Sequence, residues 1–256
     1  MSLLDCPLDN FGNTKLHIAV KNGNTDDVLS LLQGGANVNK KNSNNLTPLH
    51  VAVSTGHYHL IDSLVEYGAN VEEQGRDMYR PIHMVLRSPN KVECLKKLLE
   101  LGADTNGKEC SGSTLLQLTL RFKYNDVGLV EKLLECGSDP NIADNLGENC
   151  LHTLAYSSKF MQKADIKTVL GLLLTRMTSV DVENIQGETP SFIASRIENG
   201  VLAGLLLERG CDTLSKCKDG ATPIELAVEG GQSKAFYEMF YNRLSMWEKA
   251  VVVSLL

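Results

Sequence analysis

Residues 46–53 read LTPLHVAV. Thr47 followed by Pro48 has the chemistry of a helix start. The hydroxyl can accept from a backbone N–H of the first turn, and Pro sits where its missing N–H costs nothing. His50 in the same stretch admits three readings: a catalytic base, a metal ligand or a piece of scaffold. Repetition separates them. NTKLHIAV places Thr14 where Thr47 stands, and YRPIHMVL places Arg80 there. STLLQLTL, ENCLHTLA, ETPSFIAS and ATPIELAV follow with Thr114, Asn149, Thr189 and Thr222. The successive spacings are 33, 33, 34, 35, 40 and 33 residues, so the chain is a repeat array.

Two further landmarks keep the same phase. Gly-Ala-Asn or a relative of it closes a double-Leu segment at Gly35, Gly68, Gly102, Gly137 and Gly210. A glycine stands two residues before the Thr position at Gly12, Gly112, Gly147, Gly187 and Gly220. One unit is therefore a tight turn, a capped first helix burying Leu and Ala, a reversal, and a second helix with a Leu pair that the Gly terminates. Two helices this short cannot bury their apolar faces alone and must stack on neighbours.

TPLHVAV together with the segment ending IDSLVEYGANV resembles the ankyrin repeat, and the resemblance covers roughly residues 9–240. It implies an all-α solenoid of about seven helix–turn–helix repeats joined by β-hairpin-like loops. The repeats are expected near 9–38, 42–71, 75–105, 109–142, 144–182, 184–213 and 217–240, making 1–240 one array. Residues 241–256 are read as a helical cap over the last apolar face, or a docking tail. Several units depart from the pattern. The third has Arg80 for Thr and Met78 for Gly; the fourth has Gln117 for His; the sixth has Ser191-Phe192 for Leu-His. The fifth carries about seven extra residues around 157–165, which would lengthen its helices or the turn between them.

Bulk properties agree with a folded, non-catalytic chain. Hydrophobic residues make up 43% of the 256, ample for a core, while aromatics are only 5%. A net charge of −6 argues against direct nucleic-acid binding by bulk electrostatics. Seven cysteines, none in a CxxC pair, suggest neither a zinc cluster nor a disulfide framework, and point to a cytoplasmic or nuclear location. The N-terminus lacks a signal-peptide pattern, and no apolar run is long enough to span a membrane. Phosphate-loop, GxSxG and HExxH motifs are absent, so no catalytic residue, metal or cofactor is assigned.

The histidines follow the same logic. His17, His50, His83 and His152 recur one repeat apart, too far to share a metal at ~2 Å ligand distances. The resemblance implies that they are structural hydrogen-bonders tying adjacent hairpins, beside Thr47 and Pro48 as cap and opener. His57 and His59 are close in sequence, but a His after the inter-helix Gly is common in such repeats.

By the same resemblance, partners would be proteins, bound by the hairpin tips and the exposed side of the first helix. Those positions lie one, three, four and five residues before the Thr position and seven and eight after it. They select Arg76, Tyr79, Arg87, Arg121, Phe122, Tyr156 and Arg196, residue types that dominate binding hot spots. An acidic or phosphorylated segment across units three to six would suit these arginines. Asn39, Asn106 and Asn141, after the Gly-Ala-Asn/Asp turns, resemble asparagines hydroxylated in other ankyrin proteins. The expected role is a scaffold, adaptor or inhibitor. A ubiquitin-ligase substrate receptor, a pathogen effector mimicking host binders, and a self-association unit are alternatives. The chain is expected to be a monomer unless its apolar tail pairs.

Overall fold

The computed structural model describes residues 3–121, 126–158, 161–229, 241–242 and 244–255. Every regular element among them is helical. The chain forms two compact units, residues 1–115 and 116–256.

In the first unit a short 3-10 helix, Leu3–Asp5, precedes α1 (Lys15–Asn22), α2 (Thr25–Gln33), α3 (Pro48–Thr55) and α4 (Ile61–Glu66). A 3-10 helix over Pro81–Arg87 and α5 (Lys91–Glu100) complete it. The second unit holds α7 (Val127–Glu135), α8 (Cys150–Ser157), α9 (Lys163–Leu174), α10 (Pro190–Arg196), α11 (Gly200–Leu207), α12 (Pro223–Glu229) and α13 (Met246–Leu255). Helix α6 (Leu115–Arg121) opens at the junction.

Helix starts follow the caps. Thr14, Thr47 and Thr189 have extended backbones and accept from the N–H of the third helical residue. Asn149 does the same for α8, and Asn24, Asp126 and Asn199 cap second helices. The third unit is the exception. Arg80 has no acceptor oxygen to offer as a cap, and Ser88 precedes Pro89, whose ring disfavours the α region. The first helix there is 3-10 rather than α.

Second helices end as the Gly-Ala motif requires. Gly35, Gly68, Gly102, Gly137 and Gly210 all have φ between 75° and 92°, which a Cβ would strain. The next residue's N–H then bonds back to a carbonyl five residues earlier, as Ala36 does to Leu31 and Ala69 to Leu64. The left-handed position two residues before the Thr site is kept in every unit. Where glycine is missing, Asn45 and Met78 occupy it at φ 57° and 59°.

The core lies between the helices of neighbouring pairs. Leu16, Leu49, Ile82, Leu116, Leu151 and Ile224, two residues after the Thr site, are all essentially inaccessible. Small Ala19, Ala52 and Ala194 let the next layer approach, and Leu32, Leu64, Leu98, Leu133, Leu173 and Leu206 fill it from the second helices. Part of the fifth unit's extra length falls in its second helix: α9 runs 12 residues from Lys163 and is capped by Thr175 without a left-handed glycine.

Candidate partner-binding surface

The recurring histidines are brackets between hairpins. The backbone N–H of Thr14, Thr47, Arg80 and Asn149 donates to Nδ1 of His17, His50, His83 and His152 at 2.9–3.2 Å. A bare Nδ1 leaves the proton on Nε2. That atom donates to the carbonyls of Leu46, Tyr79, Gly107 and Glu188 at 3.0–3.1 Å. Burial keeps the rings neutral, holding His50 and His83 down at about 4 and lowering His17 and His152. Gln117, which replaces the histidine in the fourth unit, reaches the carbonyl of Glu148 at 2.6 Å with its amide.

The hairpin turns depend on residues that sequence reasoning assigned to the partner. Five residues before the Thr site, Asp9, Asn42, Glu109, Asp144 and Asn184 each fold a side-chain oxygen onto backbone N–H groups two and four residues ahead. Asn42, Glu109, Asp144 and Asn184 are 6–8% exposed, so this position belongs to the fold. Eight residues past the Thr site, the third repeat's Ser88 also belongs to the fold. Ser88 is buried, and its hydroxyl sits 3.4 Å from the Cys94 sulfur. A polar residue recurring five before the Thr position is the trace of these turns in the sequence, but residue type alone does not separate a turn acceptor from a solvated side chain.

A second ladder joins the Gly-Ala-Asn turns. Asn39 Oδ1 accepts from Asn70 N–H at 2.9 Å and its amide donates to the carbonyl of Gly68. Glu72 receives Asp104 N–H, and Asp181 receives Asp212 N–H, in the same way. Asn141 donates to the Arg176 carbonyl, and Asn106 N–H is bonded to Asp104. Asp5, which stands 32 residues before Asn37, accepts the Asn37 N–H at 2.9 Å. The N-terminal 3-10 helix thus supplies to Asn37 the kind of acceptor that one turn supplies to the next along the ladder.

The candidate partner-binding residues lie on the turns and first helices. In the first unit two depressions of about 360 and 270 Å³ share Asn44. One is lined by Leu46, Arg76, Asp77, Tyr79, Met84 and Arg87. The other lies between Phe11, Lys21, Val51 and Thr55. Arg87 is exposed and makes no ion pair with a described residue. Arg76 has only Asp77 at 3.6 Å, with both side chains mostly in water. Tyr79 is half-buried, edge-on to His83 at 5.4 Å, and desolvation pushes its phenol upward.

The second unit treats its arginines differently. Arg121 meets Asp144, a carboxylate with only 2% of its side chain exposed, at 3.4 Å. Arg196 pairs with the buried Glu188, donates to the Tyr156 hydroxyl at 3.1 Å, and lies over the Phe192 ring. Glu148 joins Tyr156 and Asn184 in the same network; burial, then the Asp144 charge, pushes its carboxyl upward. Burial likewise drives the Tyr156 phenol up to about 12. Phe122 lies outside the described residues.

His57 and His59 face carbonyls of the preceding pair, Lys21 at 3.1 Å and Gly23 at 3.4 Å. Among the described residues no cluster of ligating side chains could hold a metal ion, and no helix is long and apolar enough to cross a membrane.

Residues 16–109 match the family described as ankyrin repeats (3 copies). The ankyrin repeat domain of Bcl-3, whose structure describes it as a unique member of the IkappaB protein family, superposes with a TM-score of 0.73 at 27% identity, covering 89% of this chain and 98% of that one. Similar curated proteins include the E3 ubiquitin-protein ligase KEG of Arabidopsis thaliana, 31% identical over 39% of this chain. Neurogenic locus notch homolog protein 1 of Mus musculus is 33% identical over 40% of the chain. Palmitoyltransferase AKR1 of Lachancea kluyveri is 26% identical over 62%. The chain spans only 6%, 4% and 21% of those three proteins.

Proposed function

Because this chain is an ankyrin-repeat protein, we propose that it is a non-catalytic scaffold, adaptor or inhibitor whose partner protein sits on the turn tips and first helices. One observation carries the reading. The polar groups that recur with the repeat are spent inside the fold, on caps, brackets and turns. Residues that break the period, the exposed Phe11 and Arg87 with the half-buried Leu46 and Tyr79, line two depressions of the first unit that share Asn44. Side chains without an internal task at the rim of a concavity are what a binding surface offers. The three curated relatives bear the names of a ubiquitin-protein ligase, a neurogenic locus notch homolog and a palmitoyltransferase, so what they share with this chain is not one chemistry. Seven unbridged cysteines support a cytoplasmic or nuclear site of action.

The test is capture from cell extract by the full chain and by Leu46→Asp, with mass spectrometry of what is retained. Leu46 is half-buried and uses its carbonyl, not its side chain, to meet His17. A partner set lost with Leu46→Asp at unchanged melting temperature supports the surface; the same set captured by both proteins refutes it. Self-association through the tail is the second reading. In α13, Met246, Trp247 and Val253 are 91%, 66% and 66% exposed. Light scattering on the chain with and without residues 241–256 decides it, a concentration-dependent dimer only in the longer form being the supporting result.

A further inference from the structure

We infer that the depressions of the first unit take an extended acidic peptide with an apolar side chain beside its carboxylates; this rests on the protein-binding role proposed above. The charge distribution is the first argument. The chain carries −6 overall, yet the two depressions are lined by Lys21, Arg76 and Arg87 against a single carboxylate, Asp77. A local excess of cations in an acidic protein selects anions from the medium.

The second argument is competition. Arg121 and Arg196 already hold buried carboxylates, so an incoming anion would have to displace a partner that cannot leave. Arg87 has no such partner, and the exposed Arg76–Asp77 pair is worth little. The anion therefore goes to Arg87 and Arg76, where a planar guanidinium can grip two oxygens at once.

The third argument is shape. Leu46 and Tyr79 present half-buried apolar surface directly beside the two arginines. Asn44, shared by both depressions, offers an amide to a peptide backbone. The depressions run past three successive first helices, α1, α3 and the 3-10 helix Pro81–Arg87. At ~8–10 Å between neighbouring helices that is roughly 20 Å, the reach of about six extended residues at ~3.3 Å each.

The experiment uses the full chain and four fluorescein-labelled octapeptides. One has two Glu flanking a Leu; in the others the Glu become Gln, Lys or phosphoserine. The Glu peptide is expected to raise the anisotropy, with binding weakened by 0.5 M NaCl and the Gln and Lys peptides inert. Arg87→Glu should weaken binding about tenfold or more, while Lys167→Glu, on the exposed face of α9, leaves it unchanged. Tighter binding of the phosphoserine peptide would name phosphate as the natural source; parity with Glu would name carboxylate. Equal binding of the Gln or Lys peptide, binding untouched by Arg87→Glu, or no binding by any peptide would overturn the inference. Loss of partner capture in Leu46→Asp would then still support the binding role, so the two claims fail separately.

Discussion

At the scale of single residues, the histidines that invite a chemical reading are the ones whose titration the fold resists. His50 and His83 are nearly inaccessible, and burial lowers them from 6.5 to about 4. Above pH ~6.5 these rings are neutral in both folded and unfolded chains, and their titration adds nothing to the pH dependence of stability. As the pH falls, the unfolded chain takes up protons that the folded chain refuses. Stability is then lost between about pH 6.5 and 4, on the order of 2–3 kcal/mol for each of the two rings, and no further below that. Urea midpoints measured from pH 7.5 to 4 should fall along that course, and a flat profile would show the rings to be solvated. His50→Gln should remove one ring's share of that loss while keeping most of the stability, because Gln117 already bridges to a carbonyl in the fourth unit. His50→Ala removes one of the two donors to the Tyr79 carbonyl, which keeps the Gly75 N–H, takes the acceptor from the buried Thr47 N–H and opens a cavity, so it should cost roughly 2–4 kcal/mol. Met78, exposed and held at φ 59°, offers the opposite effect. Met78→Gly should raise stability by about 0.5–1 kcal/mol as left-handed strain is relieved against added chain entropy. A lower urea midpoint for that variant would mean that Met78 packs more than its exposure implies.

At the scale of elements, the caps and stops were legible because each rests on one residue with one job. Thr47, Pro48 and the left-handed glycines announce where a helix begins and ends whatever surrounds them. The turn acceptors were not legible, because Asp, Asn and Glu at a turn look alike whether they face water or fold back on their own backbone. The arginine pairings were hidden for a similar reason. Arg121 and Asp144 are 23 residues apart, and only the stacking of turns brings them together. The third unit's 3-10 helix was half visible, in Arg80 and in Pro89. These distinctions can be tested by substitution. Arg196→Ala takes the cation from the buried Glu188, which keeps only the Asn184 amide, and should lower stability by about 1–2 kcal/mol, discounted for the arginine's own exposure. Arg87→Glu strands nothing and should leave the melting temperature where it was. Equal effects of the two would erase the difference drawn here between scaffold and surface. Asp5→Ala should cost about 1 kcal/mol by freeing the Asn37 N–H, and the loss should appear as faster exchange in α1 and α2 alone.

At the scale of the whole molecule, the quality of the repeats changes along the chain. In the first unit each first helix carries a histidine bracket, and each second helix from α2 to α5 ends on a left-handed glycine. The second unit contains the exceptions. Helix α9 ends without a glycine stop, and α10 carries Phe192 where the bracket would be, a side chain with no polar atom to reach the next turn. Stability in a stacked array is close to a sum of unit stabilities and nearest-neighbour terms. A missing bracket and a missing stop therefore weaken the units that lack them instead of being averaged over the chain. Local opening should be easiest from α9 to α11, and amide exchange there should be faster than in α1 to α4 at neutral pH, well above the histidine transition. Leu170, buried in α9, provides the second arm of the test. Leu170→Ala should cost about 2–5 kcal/mol and accelerate exchange in α9 to α11 before it affects α1 to α4. Acceleration spread evenly over both units would mean that the chain unfolds as one cooperative body and that its irregular repeats are no weaker than the rest.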